Sequence, residues 1–249
     1  MTTAIRILAY DCAADHYDKY IKIGESTAIK CLKAFCNAIV VVYAEEYMRP
    51  PNEADIAWLL EEGEQRGFLV EWQGTHRGRS GKNTLILEAV ASQDLWIWHA
   101  FFRMSGSHND INVLDHSSVF NNIVNSQLPL VNYVVNGHHN RMGYYLSDGI
   151  YPKWATLMQT IPHLTTTKEN LFAHRQEAVR KDVERVFGVL QIKWAIMQGP
   201  VRYWEKDDLR LIMKTCIILH NMIIEDERHT NVGRWTPPPE DAIPIPTLS

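Results

Sequence analysis

A chain of 249 residues, of which 46% are hydrophobic and 22% charged, is long enough to bury the core of one domain plus a smaller accessory unit. Its formal net charge of −4 argues against binding nucleic acid through overall charge, because duplex binding depends on Lys and Arg that neutralise phosphates. The four cysteines lack CxxC spacing, so they indicate neither a zinc site nor a disulfide scaffold, and we expect reduced thiols.

Targeting and membrane segments are not evident in the sequence. The N-terminal residues contain no apolar run long enough for a signal peptide. The longest apolar stretches, AIVVVYA from Ala38 and CIILHNMII from Cys216, are shorter than the roughly 20 residues that a membrane span needs. We therefore expect a cytoplasmic or nuclear protein that does not associate with a membrane.

Residues 1–66 are predicted to form a helical N-terminal region. Ser26 is a candidate N-cap, and apolar residues recur after it at the three-and-four spacing of one helix face. Pro50 and Pro51 end this helix, and Asn52 can cap the next one. The glycine in IKIGEST, between two helical stretches, is compatible either with a DNA-reading helix-turn-helix or with a helical hairpin that only packs.

The pattern changes to strands from Asn83 onward. LILEAVA and LWIWHAFF are rich in β-branched and aromatic residues and are separated by SQD, which predicts a hairpin. YVVNG and MGYYLSD are further strand candidates. His138 and His139 are predicted to lie in the turn between them, where a solvated loop is favoured over a metal site.

Helices are predicted again in the last third of the chain. One runs from about Lys168 to Leu190, and a second, from about Lys206 to Glu227, is apolar nearly all round and therefore buried. Residues 229–249 form a Pro-rich tail without periodicity. Strands that are followed by alternating strands and helices indicate an α/β domain with a mixed sheet.

Several blocks of the chain resemble PIF/Harbinger transposases in their plant transposon-derived branch. These blocks are NTLILEAVASQDLWIWHAFF, GSHNDINVLDHSSVF, the segments around Asp148 and Glu184, and CIILHNMIIEDE, in this order. The resemblance implies an RNase H-like domain over residues 67–228, with flanking helices and three carboxylates that hold Mg²⁺ or Mn²⁺ for DNA cleavage. It identifies Asp148 and Glu184 as the second and third of these catalytic, metal-binding residues.

The residues themselves are compatible with those roles. Asp148 ends an apolar strand candidate beside Gly149, and Glu184 lies at the edge of an apolar helical stripe. On spacing alone, a turn at Asp148 and an ion pair of Glu184 with Arg180 are favoured over these roles. Carboxylates suit the purpose because Mg²⁺ prefers oxygen ligands and paired ions stabilise both the attacking and the leaving oxygen.

The first carboxylate of the resemblance is missing. The segment GFLVEWQGTHRGRSGK, where it should lie, contains no aspartate. Either a segment that holds the first catalytic strand is absent, or GTH is the remnant of the motif and Gln73 occupies the aspartate's place. Glu71 is the nearest carboxylate, but it lies two residues from that position. Both alternatives predict a degenerate nuclease.

The resemblance also implies a nuclear protein that contacts DNA together with a Myb/SANT-like accessory protein. The best candidate for a DNA-facing patch is the cluster of Arg175, Arg180, Lys181 and Arg185 around Glu184, although a solvated helix face explains it equally well. Two functions stay open at this point. One is a degenerate DNA endonuclease of the two-metal type, and the other is a domesticated, non-catalytic protein associated with DNA or chromatin.

Overall fold

The computed structural model describes residues 1–11, 23–66, 72–76, 85–104, 130–135, 137–142, 145–146, 157–159, 165–198 and 205–230. The helices in these ranges are Thr2–Tyr10 (α1), Glu25–Tyr47 (α2), Glu53–Arg66 (α3), Thr167–Lys193 (α4) and Lys206–Thr230 (α5), with a short 3-10 helix at Ala195–Met197. The strands are Trp72–His76 (β1), Leu85–Ala91 (β2), Ile97–Met104 (β3), Leu130–Val135 (β4), His138–Met142 (β5), Tyr145–Leu146 (β6) and Leu157–Met158 (β7).

Of the two helix N-caps predicted from the sequence, one is confirmed and the other is wrong. Asn52 Oδ1 accepts from the amide of Asp55 at 2.9 Å, and the Asp55 carboxylate accepts from the amide of Asn52 at 2.8 Å, which confirms the predicted cap of α3. The prediction of Ser26 as the N-cap of α2 is wrong, because the helix already starts at Glu25 after the extended Gly24. Ser26 therefore lies inside the first turn, where the backbone of Gly24 makes the capping contacts.

Five strands form one mixed sheet in the order β3-β2-β1-β6-β7. Strand β2 runs antiparallel to both of its neighbours, while β1, β6 and β7 run parallel to one another. The prediction of an α/β structure with a mixed sheet agrees with this helix-rich arrangement. The centre of the sheet is formed by Trp72–His76 (β1). This strand belongs to the segment GFLVEWQGTHRGRSGK, which lacks the expected aspartate.

The two predicted hairpins differ in how they compare with the structure. The hairpin across SQD is confirmed, since β2 and β3 pair antiparallel from Leu85 opposite Met104 to Ala91 opposite Ile97. Strands β4 and β5 form a separate two-stranded sheet. The predicted turn at His138 and His139 is wrong by one residue, because Gly137, with its positive φ of 81°, makes the turn and both histidines begin β5.

Helix α5 is the centre of the core, as its apolar character predicts. It packs against α2 on one side and against α4 and β3 on others. Cys31, Cys36 and Cys216, the three cysteines among the described residues, form no disulfide with one another. The fully buried large side chains include Leu8, Leu32, Ile97, Val186, Leu190, Ile217 and Ile218.

An aromatic cluster closes the core where α2, α3, the β2–β3 turn and the end of α5 meet. The Tyr47 ring stacks on Trp96 at 5.9 Å, and Trp96 lies 5.7 Å from Trp98. The Arg228 guanidinium lies 4.7 Å from the Trp96 ring centre and 5.3 Å from that of Trp58. Trp96 and Trp98 are therefore core residues, and the partly buried Trp58 packs against the core.

Candidate functional site

Strand β1 places Gln73 in the middle of the sheet. Its Cα lies opposite Ala91 of β2 on one side and opposite Leu146 of β6 on the other. The strand has the sequence WQGTH and carries no carboxylate. Of the residues that the sequence analysis singled out for the missing position, Gln73 is therefore the one that lies in the central strand, while Glu71 lies outside the described residues.

The second candidate, Asp148, also lies outside the described residues. The strand that precedes it is described. This strand, β6, ends at Leu146, two residues earlier in the chain, and runs parallel to β1. Strand β6 is the direct neighbour of β1, and its last residue, Leu146, lies opposite Gln73.

Glu184 lies in α4, which packs against β1 and β2. The helix begins with a capping box, in which the Thr166 hydroxyl accepts from the amide of Glu169 and the Glu169 carboxylate accepts from the amide of Thr166. The buried stripe predicted for this helix is confirmed at Val186, Phe187 and Leu190. Glu184 lies beside the stripe and is exposed, so its carboxylate is accessible to solvent.

A buried glutamine ties the first half of α4 to the far strand of the sheet. The Gln176 side-chain amide donates to the carbonyl of Met158 in β7 at 3.1 Å. Because α4 also contacts β1 and β2, the helix is held against both halves of the mixed sheet. The position of Glu184 relative to the central strand is thus fixed by contacts on either side of it.

The basic cluster around Glu184 is described in part. Arg175 and Lys181 are exposed and Arg185 is half-buried, all on α4. The capping-box carboxylate of Glu169 lies at the helix start, where hydrogen bonds from Thr165 and Thr166 lower its pKa to about 2. Arg175, Lys181 and Arg185 remain the candidates for an electrostatic contact with a polyanion.

Two adjacent residues of α5 fix the β2–β3 turn. His220 Nε2 donates to the carbonyl of Leu95 at 2.8 Å within the buried core. Asn221 Oδ1 accepts from the amide of Ile97 at 3.0 Å, and its amide nitrogen donates to the carbonyls of Ile97 and Tyr47 at 2.8 Å each. Asn221 was not identified from the sequence, although it belongs to the same LHNM block.

Burial dominates the electrostatics of the histidines near this turn. It lowers the pKa of His220 to about 4, and it lowers that of His99 in β3 to about 4 as well. Both imidazoles are therefore neutral at neutral pH. Among the described residues no group of three or more His, Cys, Asp or Glu side chains is arranged to hold a metal ion, and this includes the exposed His138 and His139.

The comparisons with known proteins add a family and no individual relative. The family model of the plant transposon protein matches residues 45–231. Neither the curated proteins nor the solved structures contain a match to this chain. The matched range begins near the end of α2 and includes every strand and both long C-terminal helices.

Proposed function

The chain belongs to the plant transposon protein family, and from that premise we propose that it is a degenerate DNA endonuclease of the PIF/Harbinger type. Its fold would be RNase H-like, and its ancestral chemistry would be two-metal cleavage of a DNA phosphodiester. In such a fold the first acidic residue lies on the central strand, the second follows a neighbouring strand, and the third lies on a helix packed nearby.

The placement of β1, β6 and α4 carries this proposal. Strand β1 is central, β6 is its parallel neighbour and leads to Asp148, and α4 packs against β1 and bears the exposed Glu184. The positions of β1, of the end of β6 and of α4 support the proposal that the three positions of a DDE site lie in one region of the sheet. Asp148 and Glu184 would be its remaining catalytic and metal-binding residues.

The degenerate position would be Gln73. Of the two alternatives for the missing carboxylate, substitution is supported by the central location of Gln73 and its register opposite Leu146. An amide oxygen is a neutral ligand, so it cannot bridge two metal ions as a shared carboxylate does. The chain would consequently lack the paired-ion geometry that stabilises both the entering and the leaving oxygen.

The donor set suits a hard cation. The carboxylates of Asp148 and Glu184 and the amide oxygen of Gln73 are all oxygen donors, which Mg²⁺ prefers, and Mn²⁺ accepts the same set. When bound, such an ion would polarise the scissile phosphate. The two carboxylates of this site would then hold one ion. A second ion would need the third carboxylate, which is missing.

A second function is favoured by one observation, the absence of any carboxylate from WQGTH in β1. A protein without the first ligand can retain the fold and act as a non-catalytic protein associated with DNA or chromatin. In that role it would be nuclear and would depend on a Myb/SANT-like partner for most of its DNA contacts, in keeping with its net charge of −4.

The substitution Gln73→Asp separates the two functions. We expect the parent chain to leave supercoiled plasmid intact in Mg²⁺ or Mn²⁺, and Gln73→Asp to nick it at least about tenfold faster, since a restored charge that stabilises the transition state by ~1.4 kcal/mol gives that factor. Asp148→Asn and Glu184→Gln in the Gln73→Asp background are matched controls that should abolish the gain.

Two outcomes would contradict the proposal. Robust nicking by the parent chain that is lost in Asp148→Ala would mean that another carboxylate, with Glu71 as the first candidate, replaces the missing one. A Gln73→Asp variant that folds, as judged by circular dichroism, and neither nicks DNA nor binds Mn²⁺ would remove Gln73 from the site and support the non-catalytic function.

A further inference from the structure

Helix α2 has one face that is attached to the rest of the protein. Ala28, Leu32 and Cys36 on this face are fully buried, and the helix packs along α5. The hydroxyl of Thr215 on α5 donates to the carbonyl of Cys36 at 3.3 Å, and Lys33 forms an ion pair with Asp208. The buried face therefore fixes the orientation of α2, including the direction of its opposite face.

The opposite face of α2 is apolar and exposed. Val41 is 73% exposed, and Ala38 and Ala34 are also exposed one and two turns earlier, while Val42 beside this face is 64% exposed. Little of the most apolar stretch of α2 is buried within the protein. A surface helix normally carries polar residues on its outer side, so an apolar outer face indicates a binding surface.

The residues along this exposed face are arranged in a self-complementary order. Lys30 and Glu45 lie at its two ends and are both exposed. Between them, the small Ala34 and the larger Val41 are equally far from the middle of the face, which lies between Asn37 and Ala38. If a second copy is laid across the first in the antiparallel direction, each lysine meets a glutamate and each valine meets an alanine.

We propose that this outer face of α2, defined by Lys30, Ala34, Ala38, Val41 and Glu45, binds the same face of a second copy of the chain. The two helices would lie antiparallel about a two-fold axis near Ala38. Such an interface is isologous, so one favourable contact is made twice. The opposite charges at the ends favour the antiparallel direction, because a parallel pair would place Lys30 against Lys30 and Glu45 against Glu45. This inference goes beyond the proposed nuclease ancestry and does not depend on it.

A lipid bilayer is the competing occupant. By length and composition α2 could cross a membrane. Its buried face, however, is in contact with α5 and carries the Lys33–Asp208 ion pair, so a membrane-spanning α2 would have to leave the core. The arrangement of opposite charges at the two ends of the outer face has no role in a bilayer, whereas it selects a direction for a second helix.

The first experiment measures self-association by sedimentation velocity over a concentration series of the whole chain. We expect a monomer–dimer equilibrium for the parent and a dissociation constant raised at least about tenfold in Val41→Glu, which places a charge in the contact. Ile192→Glu is the matched control, because Ile192 is 79% exposed on α4 and should leave the dissociation constant unchanged. A parent chain that stays monomeric at all concentrations overturns the proposal.

Charge exchange tests the antiparallel register without altering the apolar contact. Lys30→Glu and Glu45→Lys should each raise the dissociation constant by about fivefold, a size typical of exposed ion pairs that occur twice. The double variant should return to within about threefold of the parent, because it restores opposite charges in every pair. Additive weakening in the double variant would refute the pairing of Lys30 with Glu45.

Oxidative cross-linking gives an independent measure of direction. In a background in which Cys12 and Cys31 are replaced by serine, Asn37→Cys lies beside the proposed axis and should form a disulfide-linked dimer. Thr27→Cys in the same background should not, since the two copies of residue 27 would lie about 30 Å apart in an antiparallel pair. Cross-linking at both positions would indicate parallel helices. In a separate test, the parent chain would float with anionic phosphatidylcholine–phosphatidylserine vesicles, and Val41→Glu would abolish this flotation, if the outer face bound a bilayer instead.

Discussion

His220 and Leu95 are joined by a hydrogen bond across 125 positions of the chain, from the imidazole Nε2 to the backbone carbonyl at 2.8 Å. Leu95 has a positive φ of 73°, a conformation that costs a non-glycine residue about 1–3 kcal/mol unless its surroundings hold it there. The carbonyl can only accept, so the proton is on Nε2, while the buried Nδ1 has no hydrogen-bond partner among the described residues. The neutral imidazole of α5 is therefore one of the groups that stabilise the β2–β3 turn.

This relationship predicts that the protein loses stability in mild acid. The pKa of His220 is about 4 in the folded protein, below the ordinary value of 6.5, because burial disfavours the charged ring. A depressed histidine pKa contributes stability that is complete above about 6.5 and is lost as the pH falls toward about 4, since the unfolded chain binds the extra proton in that window. We expect the free energy of unfolding to fall there by up to ~1.4 kcal/mol per pH unit for each such histidine.

Urea denaturation at several pH values measures this slope. His220→Gln, which keeps a donor and removes the titration, should flatten the pH dependence, and the remaining slope should come from His99 together with the carboxylates. His174→Asn is the control, because His174 is exposed on α4. An unchanged slope in His220→Gln would show that His220 is not buried in solution as it is in the structure.

Asn221 should be more sensitive to substitution than its size suggests. Its side chain makes three hydrogen bonds to the backbones of Ile97 and Tyr47, and it is fully buried. Asn221→Asp keeps the shape but loses the donor and places a carboxylate against two carbonyls, so we expect a loss of ~3 kcal/mol or more in the free energy of unfolding. The same exchange at the exposed Asn170 should change it by less than ~0.5 kcal/mol. Equal effects at the two positions would contradict the role given to Asn221.

The elements that could be predicted from sequence are those whose signals are local. The long helices α4 and α5 follow from apolar residues at helical spacing, and the β2–β3 hairpin follows from β-branched runs on either side of SQD. The cap at Asn52 and the burial of Trp96 and Trp98 could be predicted for the same reason. Each depends on residues within a few positions of one another.

The parts that could not be predicted depend on contacts between distant residues. The role of Asn221 in holding Ile97 joins positions that are 124 residues apart, and no local pattern distinguishes it from a solvated asparagine. Likewise, the short sequence WQGTH, with a glycine at its centre, shows no alternating apolar pattern, and it becomes a strand through pairing with β2 and β6. The start of α2 was misplaced because Gly24 caps the helix through its backbone, and a residue type alone does not indicate this.

The exposed cations of α4 lead to a prediction about DNA. Because the net charge is −4, we expect the isolated chain to bind a duplex weakly and with a strong dependence on salt. Replacing Arg175, Lys181 and Arg185 by alanine should weaken this binding further and reduce the slope of log K against log salt by up to ~2.7, since each phosphate contact contributes about 0.9. Fluorescence anisotropy with a labelled duplex at several salt concentrations measures both quantities, and Lys214→Ala, an exposed lysine on α5, is the matched control.

An equal loss of affinity in Lys214→Ala would mean that the DNA contact is diffuse and not made by α4, because removing a localised patch must weaken binding more than removing a single remote charge. Tight binding by the parent at physiological salt, without any partner, would show that the acidic balance of the whole chain does not limit its affinity, and it would remove the need for a Myb/SANT-like protein to supply the DNA contacts.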